Sequence, residues 1–247
     1  MAAPGQSAGD TRAAWYAARS RLLVRARHVS ERLRRVRALR PLAVAAGKRL
    51  VALEMRRLHD TLAATPIAGR YWVWGGLLLG WAREGGVLSN DTADVDFAFC
   101  DTDFERMRAS LPALRAAGFR LLHAVRNNAG DLSVLVLERS GIHFDFLKLT
   151  RVDDLYRYYG SFWSVQIVGE VPAQPLEPFE LFGRTWLKSK DHDLELTAMY
   201  GDWRTPRSDW QTERDSPAVV AREENRFPYD DPDDLDEHVQ PFRMPQA

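Results

Sequence analysis

Cysteine is nearly absent from this chain, with Cys100 the only one among 247 residues. A single thiol cannot close an intrachain disulfide, and it cannot supply a cysteine-based zinc site. That fits a reducing compartment. Long apolar runs are missing as well: the longest, Trp72 to Ala82, is interrupted by glycines and falls short of the roughly 20 residues that span a bilayer. The opening residues lack an apolar core followed by a small-residue cleavage site, so no secretory signal is expected. A soluble, cytoplasmic protein is the expectation. Net charge is formally zero, which gives no argument for a nucleic-acid partner, and none is expected.

That zero conceals an uneven distribution. Residues 1–60 carry 14 Lys and Arg against 4 Asp and Glu, whereas residues 209–247 carry 4 against 11. Between Thr11 and Arg40 there is neither Gly nor Pro, which favours helix. Leu22, Leu23, Ala26, Val29, Leu33, Val36 and Leu39 fall near helical spacing with arginines on the other faces. A basic amphipathic helix of this kind suits an anionic membrane surface or an anionic polymer. The alternative is a solvated helix packed on its own domain or on a second copy of the chain, a homo-oligomer. Pro41 is expected to break it, and a second helix is predicted from Ala45 to about Ala63, with Leu50, Leu53, Met55, Leu58 and Leu62 apolar. Three segments result: a basic helical extension over 1–44, a domain over 45–208, and an acidic, disordered tail over 209–247.

The stretch from Tyr71 to Cys100 organises the rest. Tyr71 to Trp74 reads as a buried strand that stops at Gly75-Gly76, and Leu77 to Glu84 has helical composition. Asp94-Val95-Asp96-Phe97-Ala98-Phe99 then alternates as a strand does, with Val95, Phe97 and Phe99 on one face and Asp94 and Asp96 on the other. Two adjacent carboxylates repel and are costly to bury unpaired, so a divalent cation between them is the best candidate. A helix over Phe104 to Ala117 and strands over Phe119–Val125, Leu132–Glu138 and Ile142–Leu149 follow. The aromatic 151–170 segment is expected to be irregular or helical, and a short helix over Asp191–Met199 closes the domain. Strand, helix, then further strands make an α/β (α+β) pattern: a small mixed sheet with helices on one side. In the last strand Asp145 shares a face with His143. Beside the Asp94–Asp96 strand it would bring three carboxylates together.

A Gly-Gly turn at a strand-to-helix junction exposes backbone N–H groups to a phosphate. Neither that turn nor Asp-x-Asp is specific alone. Together with a third Asp they describe a phosphoryl- or nucleotidyl-transfer site, with Asp94, Asp96 and Asp145 as catalytic and metal-ligating residues for Mg²⁺ or Mn²⁺.

The run Trp74-Gly75-Gly76-Leu77-Leu78-Leu79-Gly80-Trp81-Ala82-Arg83, followed by Asp94-x-Asp96, resembles the LicD/fukutin family pattern. The likeness returns at Phe182-Gly183 and at Tyr200-Gly201-Asp202-Trp203-Arg204-Thr205-Pro206, and covers roughly residues 50–206. The family's Pro-Trp-Asp-Asp-Asp approach is replaced here by Ser89-Asn90-Asp91-Thr92-Ala93. The resemblance implies a nucleotidyltransferase fold related to polymerase beta. It also implies metal-dependent transfer of a phosphorylated small alcohol, phosphocholine or ribitol phosphate, from a CDP-activated donor. The acceptor would be a sugar hydroxyl on a glycan or lipid-linked glycan. Gly75, Gly76 and Arg83 would bind phosphate, and Asp202 and Trp203 would wall the substrate. Two alternatives stay open: a nucleotidyltransferase that places a nucleotide on a small molecule or protein, and a binding module of this fold without turnover.

Overall fold

The computed structural model describes residues 40–226 apart from Trp163. The basic helix expected over residues 11–40 therefore lies outside the described residues except for Arg40, as does the acidic stretch beyond residue 226. Helix α1 spans Arg40–Leu62, so it starts before the expected Ala45 and has Pro41 in its first described turn. A proline in the first turn costs no intrahelical hydrogen bond. Val51, Met55, Leu58 and Leu62 recur at helical spacing and are buried, whereas Leu53, expected on that face, is 45% exposed.

Strand β1 (Tyr71–Val73), helix α2 (Gly75–Glu84) and strand β2 (Asp94–Cys100) follow as the alternation predicts. A 3₁₀ turn leads into α3 (Phe104–Ala116). Strands β3 (Arg120–Arg126), β4 (Leu132–Arg139) and β5 (Ile142–Val152) come next. Five strands form a mixed sheet in the order β1-β2-β5-β4-β3, in which only β2 and β5 run parallel. One face carries Val95, Phe97, Phe99, Phe144 and Phe146, all buried beneath α1, α2 and α3. Phe97 stacks between Phe146 (5.0 Å) and Trp186 (5.5 Å). Glu54 of α1 is buried there too. Arg139 meets it at 2.6 Å and the Ser140 hydroxyl donates to it at 2.7 Å, tying α1 to the β4–β5 turn.

Residues 151–170 correct the expectation of irregular or helical structure. The C-terminal end of β5 leaves the first sheet to pair with β6 (Leu155–Phe162), which forms a hairpin with β7 (Val165–Pro172). Tyr156, Tyr158 and Arg157 explain it. Tyr158 is buried, the intervening Arg157 pairs across the hairpin with Glu170 at 2.6 Å, and aromatic residues favour strands. Strands β8 (Leu176–Leu181) and β9 (Arg184–Ser189) make a separate hairpin. Its turn places both Phe182 (φ 52°) and Gly183 (φ 70°) in the left-handed region that a two-residue hairpin loop requires. Helix α4 (His192–Tyr200) is capped by the Asp191 side chain.

The acidic tail begins later than expected. A short α5 (Thr212–Asp215) precedes β10 (Val219–Glu224), which pairs antiparallel with β7. Ala218 and Ser216 are buried against it, and the Ser216 hydroxyl donates to the Met199 carbonyl at 2.7 Å. Residues 209–226 are thus part of the fold: Arg222, Glu223 and Glu224 are exposed on an edge strand, while Ser216 and Ala218 just before it are buried. No described helix is long and apolar enough to cross a membrane.

Candidate metal and phosphoryl-transfer site

The register of β2 against β5 builds the site. Asp96 lies opposite Asp145, and Asp94 opposite His143. The alternation that sends Phe97 and Phe146 into the core sends Asp96 and Asp145 to the other face. Carboxylate oxygens of Asp94, Asp96 and Asp145 all lie within 4.8 Å of one another. His143 is not part of that group. Asp94 is exposed at the strand's mouth, while Asp96 and Asp145 are half-buried. Asp145 Oδ1 is fully enclosed and accepts no hydrogen bond.

Asp96 is held from below by the start of α2. Gly76 donates its N–H to Asp96 Oδ2 at 2.7 Å, and the Trp74 N–H reaches the Asp96 carbonyl at 3.1 Å. Trp74, the residue before the helix, offers no side-chain cap, so a carboxylate from the neighbouring strand fills that place. The two glycines make this possible. A Cβ on Gly75 would come 2.8 Å from Asp96 Oδ2 and one on Gly76 3.0 Å, and Gly75 also adopts φ 54°. The expected phosphate role of Gly75 and Gly76 is therefore revised in one respect. The Gly76 amide already has an acceptor, and the absent side chains make room for Asp96.

Burial, then the nearby Asp94 charge, pushes the Asp96 carboxyl well above its ordinary range, against the lowering effect of the Gly76 N–H. Burial followed by Asp94 and Asp96 does the same to Asp145. Three oxygen donors converge, and one of them, Asp145 Oδ1, is enclosed and accepts no hydrogen bond. Hard oxygen ligands in this arrangement fit a divalent cation such as Mg²⁺ or Mn²⁺.

The carboxylates open onto a cleft of ≈ 1270 Å³. Gly75, Gly76, Arg83 and Asp202 line it together with the three aspartates, while Trp203 does not. Trp203 is buried in the core and donates its indole N–H to Asp193 at 2.9 Å, which corrects the expectation of a substrate wall at that residue. Arg83, expected to bind phosphate, instead donates to two backbone carbonyls, Trp203 and, at 3.2 Å, Thr205. Sequence reasoning gave no site role to Asp91, Tyr158, Tyr200, Arg204, Arg207 or Trp210, which also line the cleft. Asp91, Tyr200 and Arg204 stood only within runs compared with the family pattern, Tyr158 sits on a strand that was expected to be irregular, and nothing in the spacing of Arg207 and Trp210 marks them. Burial pushes the Tyr158 phenol up to about 12 and that of Tyr200 well above its ordinary value, so both remain neutral donors.

A family model described as LicD/FKTN/FKRP, nucleotidyltransferase domain, matches residues 69–181. That segment runs from just before β1 to the end of β8 and contains all three aspartates. No curated protein matches the chain.

Proposed function

We propose that this chain, whose residues 69–181 match the LicD/FKTN/FKRP family model, is a transferase that moves a phosphorylated small alcohol from a CDP-activated donor to a glycan. Phosphocholine or an alditol phosphate is the cargo, and a sugar hydroxyl of a glycan or lipid-linked glycan is the acceptor. The observation that carries this reading is the three-carboxylate patch, set at a Gly-Gly helix start and facing a cleft large enough for donor and acceptor together. Asp94, Asp96 and Asp145 would hold Mg²⁺ or Mn²⁺, which supplies positive charge against the donor diphosphate. The acceptor oxygen forms a new bond to the phosphorus that carries the cargo, and the bond from that phosphorus to the CMP oxygen breaks. Asp94, the exposed carboxylate, would take the proton that the acceptor hydroxyl loses.

Helix α2 orients Asp96 through the Gly76 amide, and β5 sets Asp145 beside it, so the site is fixed before substrate arrives. Residues 11–40 are proposed to rest on an anionic membrane at its cytoplasmic face, close to a lipid-linked acceptor. Incubation with CDP-choline and CDP-ribitol in Mg²⁺, with CMP release followed chromatographically, tests the reading. CMP appearing with a glycan acceptor and absent in Asp96→Asn is expected. Pyrophosphate released from a nucleoside triphosphate would point to nucleotide transfer instead.

A further inference from the structure

The cleft is lined by charges of both signs. Asp91, Asp94, Asp96 and Asp145 line it together with Glu84 and Asp202, and the cations lining it among the described residues are Arg83, Arg204 and Arg207. All three arginines belong to one unit. Arg204 and Arg207 lie on the irregular segment that leaves α4, and Arg83 reaches across from α2 to hydrogen-bond that segment at the Trp203 and Thr205 carbonyls. A guanidinium has five N–H donors in a fixed fork. With two of its nitrogens on carbonyls, Arg83 is committed to holding this backbone.

Arg204 and Arg207 are held differently. Arg204 lies over the Trp203 ring at 4.3 Å and meets Asp193 at 2.7 Å, the carboxylate that also accepts the Trp203 indole N–H. Arg207 lies 5.4 Å from the Trp210 ring, with Asp209 at 3.2 Å and Asp215 at 3.7 Å. Asp215 takes two shorter bonds from Arg214, at 2.7 and 2.9 Å, and so is satisfied without Arg207. The side chains of Arg204 and Arg207 are 64% and 45% exposed. Ion pairs this open to water are worth little and exchange readily for a better anion. The aromatic faces meanwhile restrict where each guanidinium can go.

We propose that Arg204 and Arg207 form the wall of the cleft that binds the diphosphate of the substrate, and that Arg83 is a positioning residue which fixes their segment in that cleft. The proposal rests on the phosphoryl-transfer reading. It explains why Arg83 and Trp203–Thr205, 120 positions apart, act together: one clamps the backbone of the other. It also moves the phosphate contact expected of Arg83 onto residues that lie beyond the segment matched by the family model.

Inorganic pyrophosphate, titrated calorimetrically in Mg²⁺, tests the wall without requiring a cytidine or a cargo. Arg204→Gln combined with Arg207→Gln is expected to weaken pyrophosphate about tenfold or more, since charge-assisted contacts are lost, with an unchanged melting temperature. Arg83→Met should weaken it similarly, Arg83→Lys should recover most of the loss, and Arg83→Met added to the double variant should change affinity by less than about twofold. Wild-type affinity in the double variant, or no pyrophosphate binding by the unaltered protein, overturns the proposal. A full further loss from Arg83→Met in the double variant also overturns it, because Arg83 would then touch the anion itself. If pyrophosphate behaves as expected while no CDP-alcohol is turned over, the donor assignment fails and the anion wall stands.

Discussion

Two faces of the same pair of strands divide the labour in this protein. On β2 and β5, Val95, Phe97, Phe144 and Phe146 point into a dry core beneath three helices, and Asp94, Asp96 and Asp145 point into the cleft. The residues differ by one position, and their environments differ completely. On the first face each side chain gains by leaving water. On the second, burial and the neighbouring carboxylates oppose the charged state of Asp96 and Asp145. The core face makes the fold stable, and the acidic face carries a cost that a bound cation would relieve.

Substitutions one residue apart break that comparison most sharply. Asp96→Asn should lower transfer about a thousandfold or more, as expected when several kcal/mol of charge stabilisation disappear, while leaving the metal-free melting temperature unchanged or higher. Phe97→Ala should do the reverse. It removes a fully buried ring stacked on Phe146 and Trp186 and should cost about 3–5 kcal/mol of stability in a denaturant titration, with turnover per folded molecule retained. An Asp96→Asn protein that unfolds as readily as Phe97→Ala would show that the two faces are not separate.

A pH titration sharpens the comparison. Asp96 and Asp145 have folded-state values raised above the ordinary 3.8, so they bind protons more tightly when folded. Their contribution to stability is fully present below pH 3.8 and is lost as pH rises through the folded values. Metal-free protein should therefore lose stability as pH climbs, and Mg²⁺ should restore it most at high pH. Glu195 adds a smaller, metal-independent share. It is buried on α4, where its carboxylate accepts a short hydrogen bond from the Ser189 hydroxyl, and burial raises its value from 4.5 to about 8. Glu195→Gln should leave stability near pH 4 almost unchanged and flatten the fall between pH 4.5 and about 8, as thermal melts across that range would show.

The acidic face was legible because the period of two is unambiguous where Asp alternates with Val and Phe, and because the same alternation returns in Phe144-Asp145-Phe146. The neighbouring of β2 and β5 stood in the sequence only as a condition, and the parallel register that brings Asp96 beside Asp145 comes from the fold. What sequence alone did not show depends on contacts between distant segments. Gly75 and Gly76 read as a phosphate turn because their closest neighbour, Asp96, lies 20 positions away and only the fold brings it there. Arg83 read as a phosphate ligand because its partners are backbone carbonyls, which leave no trace in side-chain identity. Residues 209–226 read as part of a disordered tail because the acidic run over 230–237 follows them, although Ser216, Ala218 and Val219 anchor them to α4 and β7. An edge strand can be highly charged on its exposed positions and still pair.

The most direct test of the central claim is the thermal shift produced by Mg²⁺ at pH 8, in the unaltered protein and in Asp96→Asn. The account predicts that the cation raises the melting temperature of the unaltered protein by several degrees and leaves Asp96→Asn unmoved. Equal shifts in the two proteins would contradict it, because the cation would then be acting somewhere other than the three carboxylates.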